Sequence, residues 1–237
     1  MTAPQAPRAK LLAIETSTEA CSVAVYVDGE VMARHELAPR RHTQLVLPWA
    51  DELLAQAGLR KSQLDAIAVG RGPGAFTGVR LAIALVQGLA LALDRPVLPV
   101  STLAVLARQG RGDRVLAAID ARMGEVYLGQ FTRAGDGRVL AAGPEIIIAP
   151  ASAPLPALPA LPAFGVGTGF SAESGALVQR LGDTLAGFDA AALPHAADLA
   201  WLAAEAFARG EAVPPDQLEP AYLRDKVALT LVEQGKA

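Results

Sequence analysis

The sequence predicts a mixed α/β fold of two similar lobes, and three observations carry that expectation. A strand, a glycine-rich turn, a helix and a second strand follow one another from Asp65 to Val100, which makes a βαβ unit. A three-strand meander is written twice, from Lys10 to Glu36 and again from Val115 to Ala141. Two longer helical segments lie between the two meanders. A unit repeated within one chain argues for two lobes built to one plan.

In order along the chain, Lys10 to Ile14 is an apolar strand closed by Glu15-Thr16-Ser17-Thr18-Glu19. Cys21 to Val27 is a second strand, Asp28-Gly29 is a hairpin signal, and Glu30 to Glu36 is a third strand. A helix is expected from about Thr43 to Gln56, with Leu45, Val46, Trp49, Leu53 and Leu54 at helical spacing, Pro48 inside it and Gly58 at its C-terminal cap. Asp65 to Val69 is a short buried strand, followed by the loop Gly70-Arg71-Gly72-Pro73-Gly74-Ala75-Phe76-Thr77-Gly78 and a helix running from about Thr77 to Leu93. Pro96 to Val100 is the next strand, Ser101 to Arg108 a short helix, and Gly110 to Asp113 a polar joint. The second meander then repeats the first, with Asp120 in the place of Glu15. Prolines at 150, 154, 156, 159 and 162 forbid helix and favour extended backbone. Phe164 to Gly169 is a strand end with a glycine turn, Ala196 to Ala208 an amphipathic helix behind Pro194, and the tail through Arg224 is extended at Pro220. The expected division is a first lobe over residues 1–109 and a second over 110–237, with the C-terminal helix and tail packing back on the first lobe.

The 237 residues suffice for a large core. Hydrophobic residues make up 52% of the chain and the mean hydropathy is +0.32, but much of this is alanine. The longest apolar run, Leu81 to Leu93, is interrupted by Gln87 and Gly88 and falls short of the ~20 residues that a bilayer span needs. No membrane association and no signal peptide are expected. A single cysteine, Cys21, excludes an intrachain disulfide and a cysteine-based zinc cluster, and fits a reducing cytoplasm. A net charge of −3 and a pI of about 5.7 provide no global attraction to nucleic acid.

The glycine loop is the first candidate for chemistry. It lacks the Gly-Lys-[Ser/Thr] of a phosphate-binding P-loop. Gly70, Gly72 and Ala75 meet the dinucleotide spacing, but Pro73 has no N–H for a pyrophosphate and the following strand ends on Ser101 rather than an acid. The reading that remains is a tight structural turn of Gly70, Gly72, Gly74 and Gly78, with Thr77 capping the helix. That helix carries no charge from Leu81 to Leu93, so every side wants covering. Ala84, Gly88 and Ala92 lie at four-residue spacing, a line along which another helix could come close. Either the chain buries the helix wholly or another subunit meets its outer side. His35, His42 and His195 show no metal-ligand spacing, and Ser17, Ser101 and Cys21 have no partners visible in sequence. Glu15, Asp120 and Glu125 are strand-end acids that could hold Mg²⁺ or form turns. No catalytic, cofactor or metal site emerges.

Several segments together resemble one family. They are Leu12 to Ala24, Pro39 to Gln44, Gly70 to Arg80, Ser101 to Leu103, Ala118 to Tyr127, and Pro220 to Arg224. The chain is similar to the TsaB (YeaZ) family, which takes part in bacterial threonylcarbamoyladenosine formation on tRNA. The resemblance covers nearly the whole chain and is weakest across 141–163. It implies a two-lobed actin-like/Hsp70-like ATPase (ASKHA) fold and a non-catalytic subunit that pairs with the catalytic TsaD, works with the ATPase TsaE, and forms a homodimer when alone. It implies indirect tRNA contact through the complex. The His-x-x-x-His metal pair of the catalytic relative is reduced here to His42, with Val46 in the second place. The partner interface carries over to the two first-lobe helices, at Leu45, Val46, Trp49, Leu53, Val79, Ile83, Val86, Gln87 and Gly88. Val86→Arg and Gly88→Leu are then expected to weaken pairing and leave the lobes folded. Two alternatives stand beside this: a self-sufficient phosphotransferase with Glu15 and Asp120 around Mg²⁺-ATP, and a metallopeptidase.

Overall fold

A computed structural model describes residues 6–155 and 162–224. Two mixed sheets share one topology. The first runs β3-β2-β1-β4-β5, from β1 (Lys10–Glu15), β2 (Ala20–Val27), β3 (Glu30–Leu37), β4 (Ala66–Gly70) and β5 (Val97–Val100). The second runs β11-β10-β6-β7-β8, from β6 (Arg114–Arg122), β7 (Glu125–Arg133), β8 (Val139–Ala141), β10 (Ala163–Val166) and β11 (Leu185–Asp189), with β9 (Ile146–Ile148) on β7. In each sheet the meander is antiparallel and the next two strands add in parallel on its far side. The duplication read from the meanders therefore extends over the whole lobe, and the fold is the two-lobed actin-like one.

Period-two alternation makes β1 face two cores. Leu12 and Ile14 join one cluster with α1 (His42–Gln56) and α2 (Phe76–Leu93), while Leu11 and Ala13 point to the other face. That other face is covered by α5 (Ala196–Ala208), which follows β11 of the second sheet yet packs Leu199, Ala200, Ala203 and Ala204 against the first. The exchange is mutual. Helix α3 (Thr102–Ala107) follows β5 of the first sheet and packs Leu103, Leu106 and Ala107 on Val115, Ala117 and Ile119 of the second. The outer face of the second sheet is closed by α4 (Ala176–Leu181), whose Leu177 and Leu181 pack with Phe170, Leu116 and Leu128. The layers thus run from α1/α2 through the first sheet, α5 and α3 and the second sheet to α4.

Local chemistry sets the helix ends. Gly58, at φ +66, closes α1 with Leu59 N bonding Leu54 O and Gly58 N bonding Ala55 O, the paired bonds of a Schellman end. Asp94, at φ +53, closes α2 in the same way. His195 caps α5, its Nδ1 accepting from Ala197 N at 3.0 Å. The expected cap at Thr77 is corrected: α2 begins at Phe76, the N-cap position is Ala75, and no side chain caps it. Thr77 is already inside the helix, where its hydroxyl cannot reach a first-turn N–H. Of the proline-rich stretch, Pro150–Ser152 form a 3-10 turn and Ala163 opens β10; Pro156 and Pro159 lie outside the described residues. Strands β9 and β11 and helix α4 add to the elements expected from sequence.

Candidate functional site

At the C-terminal ends of β1, β4 and β6 the lobes part around a cleft of about 1230 Å³. The starts of α1 and α2, the turn between β6 and β7, and the tail from Ala221 to Arg224 line it. The second half of the glycine loop, from Gly74 to Gly78, lines this cleft and packs closely on the β1–β2 turn. A Cβ on Gly74 would stand 2.5 Å from the Ser17 carbonyl oxygen, and one on Gly78 2.0 Å from that of Thr16. Ala75 N donates to Ser17 O at 2.7 Å and the Thr16 hydroxyl to Gly78 O at 2.8 Å. The loop closes on the β1–β2 turn, and that approach is why these positions are glycine. Gly72 serves differently, taking φ +94 while its N–H reaches Thr102 Oγ1 at 3.1 Å.

Beneath the loop is a knot of buried polar side chains. Glu15 is 1% exposed; its Oε1 accepts from Ser17 N at 2.7 Å and from the Ser17 hydroxyl, and Oε2 accepts from Thr102 Oγ1 at 3.3 Å. Burial pushes its carboxyl above the usual range against the opposing pull of the Ser17 and Thr102 bonds. Thr102, at the start of α3, joins loop, turn and acid through one hydroxyl. No local pattern in the sequence marks Thr102 for this place, because these partners lie 30 and 87 residues away. Asp120, in the corresponding strand of the second lobe, is 26% exposed and turned to Arg122 at 2.8 Å.

The actin-like fold implies a Mg²⁺-nucleotide in this cleft, and the donor set does not fit one. Both Glu15 oxygens are taken by neighbouring donors and Asp120 is paired with Arg122, so both carboxylates are already engaged within the chain. The histidines are satisfied within the chain. His42 Nε2 sits 3.1 Å from Thr18 O and 3.2 Å from Ala20 O, and His35 stacks on His195 at 4.7 Å. Among the described residues no group of three or more His, Cys, Asp or Glu could hold a metal. Cys21 is buried, its thiol pushed up to about 12 chiefly by desolvation, so it stays protonated.

The second candidate is the outer face of α1 and α2. By length and composition α2 could pass for a membrane span, but it packs Val79, Ala82, Ile83, Val86 and Ala90 into the first lobe's own core. That corrects the residues assigned to an interface: Val79, Ile83 and Val86, with Val46 and Leu53 of α1, face inward and are buried. Helical periodicity places them on the stripe toward the sheet. Val86→Arg would therefore put an unpaired charge into the core instead of testing a surface. Leu45, Trp49 and Gln87 are half-buried, and Gln87 Nε2 is spent on the carbonyls of Pro215 and Leu218. The opposite stripe is open. Ala84, Gly88 and Ala92 are exposed, Leu91 is 70% exposed, and a Cβ on Gly88 would meet nothing within 4 Å.

Comparison with known proteins gives this architecture a family. A family model described as TsaD, tRNA N6-adenosine threonylcarbamoyltransferase, matches residues 34–231. The tRNA threonylcarbamoyladenosine biosynthesis protein TsaB of Escherichia coli K12 is 43% identical over 231 residues, covering 92% of this chain and 96% of the relative. TsaB of Haemophilus influenzae is likewise 43% identical over 227 residues, covering 92% and 94%. Among solved structures, YeaZ from Pseudomonas aeruginosa superposes with a TM-score of 0.83 at 48% identity, covering 91% of this chain and all of that one. A Pseudomonas aeruginosa crystal structure described as an uncharacterized protein with similarity to peptidase YEAZ gives 0.84 at the same identity and coverage. On identity and coverage of this extent, the chain belongs to the TsaB family of tRNA threonylcarbamoyladenosine biosynthesis proteins.

Proposed function

We propose that this chain is a non-catalytic subunit of the machinery that forms threonylcarbamoyladenosine on tRNA, acting in the cytoplasm and pairing with a TsaD-like catalytic subunit through the outer stripe of α1 and α2. The observation that carries this is α2 itself, an uncharged helix from Leu81 to Leu93 with one stripe in the core and the other uncovered. Exposed apolar surface of this kind is removed from water at ~25 cal/mol per Å², and small side chains at Ala84, Gly88 and Ala92 let a second helix approach closely. Leu91 on the same helix is 70% exposed, and Leu47 of α1 is 41% exposed. A non-catalytic role accords with the cleft, whose acids are spent on internal bonds. A TsaE-like ATPase completes the assembly, tRNA contact comes through the complex, and the lone chain forms a homodimer over the same stripe.

Gly88→Leu tests the pairing. Its side chain projects into open space in the lone chain, so folding should be unharmed and the small-residue line blocked. Titration against the TsaD-like subunit should show affinity falling by at least tenfold, with threonylcarbamoyl transfer by the mixed complex falling in parallel. Wild-type affinity in this variant would remove α2 from the interface.

A further inference from the structure

The tail from Leu218 to Arg224 crosses from one lobe to the other over the mouth of the cleft, and it is fastened at both ends. On the first lobe, Gln87 Nε2 of α2 holds the carbonyls of Pro215 and Leu218 at 3.1 and 3.3 Å, and Leu218 is buried in the α1/α2 core. Ala221 N then donates to Arg71 O of the glycine loop at 2.8 Å. Arg80 Nε of α2 donates to the Tyr222 hydroxyl at 2.9 Å, with its guanidinium 3.4 Å above the Phe76 ring.

On the second lobe, among the described residues, the attachment is made by the Arg224 side chain. Arg224 Nη2 donates to Glu125 Oε2 at 2.6 Å and to the carbonyls of Ala121 and Arg122 at 3.2 and 3.3 Å, while Nη1 meets Met123 Sδ at 3.0 Å. These acceptors belong to the β6–β7 turn, where Arg122, Met123 and Gly124 take φ of +62, +58 and +75 in succession. Left-handed backbone is unfavourable for residues with a Cβ, so a turn built this way gains from an outside group that satisfies its carbonyls. The ion pair is sheltered, with Arg224 and Glu125 side chains 18% and 37% exposed, where a charged hydrogen bond is stronger than at an open surface. The lobes are also joined through α3 and α5 between the sheets, and Ser101 at the start of α3 donates to Glu145.

We propose that residues 218–224 are a latch across the interlobe cleft, with Arg224 as its catch on the β6–β7 turn and Tyr222 as its tie to α2. The latch sets the width of the cleft mouth and transmits it to α2. The second half of the statement rests on the pairing proposed above: a subunit seated on α2 stiffens the helix that carries Arg80 and Gln87, and so favours the closed latch.

The test uses the full chain, labelled in pairs at Ala55→Cys and Asp183→Cys, both exposed and in different lobes, while Cys21 is buried. Arg224→Ala, Arg224→Lys, Glu125→Gln and Tyr222→Phe are compared by interlobe distance and by amide exchange over 70–75 and 121–125. The expected result is a longer or broader distance and exchange faster by about tenfold in those two segments, with α5 unchanged. Arg224→Ala with Glu125→Gln should do no more than Arg224→Ala alone. Unchanged distance and exchange in Arg224→Ala would overturn the latch, as would acceleration spread equally over α5, which would make Arg224 a global stabiliser. Tyr222→Phe and Arg224→Lys are mild enough to fold, and wild-type behaviour in both would also overturn it. With the TsaD-like subunit added, Arg224→Ala should lose several-fold in affinity. Undiminished affinity there would overturn the coupling and leave the latch and the pairing, whereas wild-type affinity in Gly88→Leu would overturn the pairing, and the coupling with it, and leave the latch.

Discussion

His195 does two jobs with one ring. Its Nδ1 accepts the Ala197 N–H that opens α5, and its face stacks on His35 of β3. Both imidazoles titrate below the ordinary value of 6.5, chiefly because burial disfavours their charged forms, with repulsion from His35 added at His195. The other charges on α5's first turns are settled, Asp198 lying 3.2 Å from Arg108. A lowered folded pKa means that the unfolded chain takes up protons first as pH falls. Stability is therefore full above about 6.5 and declines as pH drops from there through the depressed folded values. Unfolding in urea between pH 7.5 and 5 should show that decline, and His195→Asn, which keeps a capping acceptor without the charge, should flatten most of it. His195→Ala should lose about 1 kcal/mol at neutral pH, the usual cost of a missing cap. Sequence marked His195 only as lacking a metal spacing, because its stacking partner His35 lies on a distant strand of the first sheet.

Among the elements, α2 concentrates what the glycines do. Gly78 is in its first turn, pressed on Thr16 O, and Gly88 is on its open stripe with empty space beyond. The two should respond to alanine with opposite signs. Gly78→Ala must push the loop off the β1–β2 turn, a backbone collision that costs ~1–3 kcal/mol. Gly88→Ala removes a flexible residue from a helix interior and should raise stability by ~0.5–1 kcal/mol. Thermal unfolding of the two variants checks this, and a fall in both would mean that Gly88 is already covered in solution. The line Ala84, Gly88, Ala92 was legible from spacing alone, since four residues is close to one helical turn. Which of the α2 stripes faces the sheet was not legible, because nearly every residue of the helix is apolar and the usual polar mark of the outer side is missing.

At the scale of the molecule, each sheet depends on a helix from the other half of the chain. Leu11, Ala13, Tyr26 and Leu98 of the first sheet are buried against α5, whose residues come after 195. A fragment of residues 1–109 should therefore fail to fold, giving a collapsed state without sharp amide dispersion, while the whole chain unfolds in one transition. The same two-lobed frame should not bind Mg²⁺-ATP in calorimetry, since Glu15 and Asp120 are already engaged by donors of the chain itself; micromolar binding would restore the phosphotransferase reading.

What the amino-acid sequence settled is what short range can settle. Alternation located the strands of both meanders, breakers bounded α1, α2 and α5, and the repeated meander announced two lobes. Asp65 to Val100 was recognisable as a βαβ unit for the same reason. The exchange of α3 and α5 between the sheets, the inward turn of Val79, Ile83 and Val86, the use of the glycine loop as a clamp on Glu15-Thr16-Ser17, and the tail bridging from Arg80 to Glu125 belong to the tertiary structure. Each joins residues far apart in the chain, and no local periodicity records which of several apolar faces or polar partners will be brought together when the core closes.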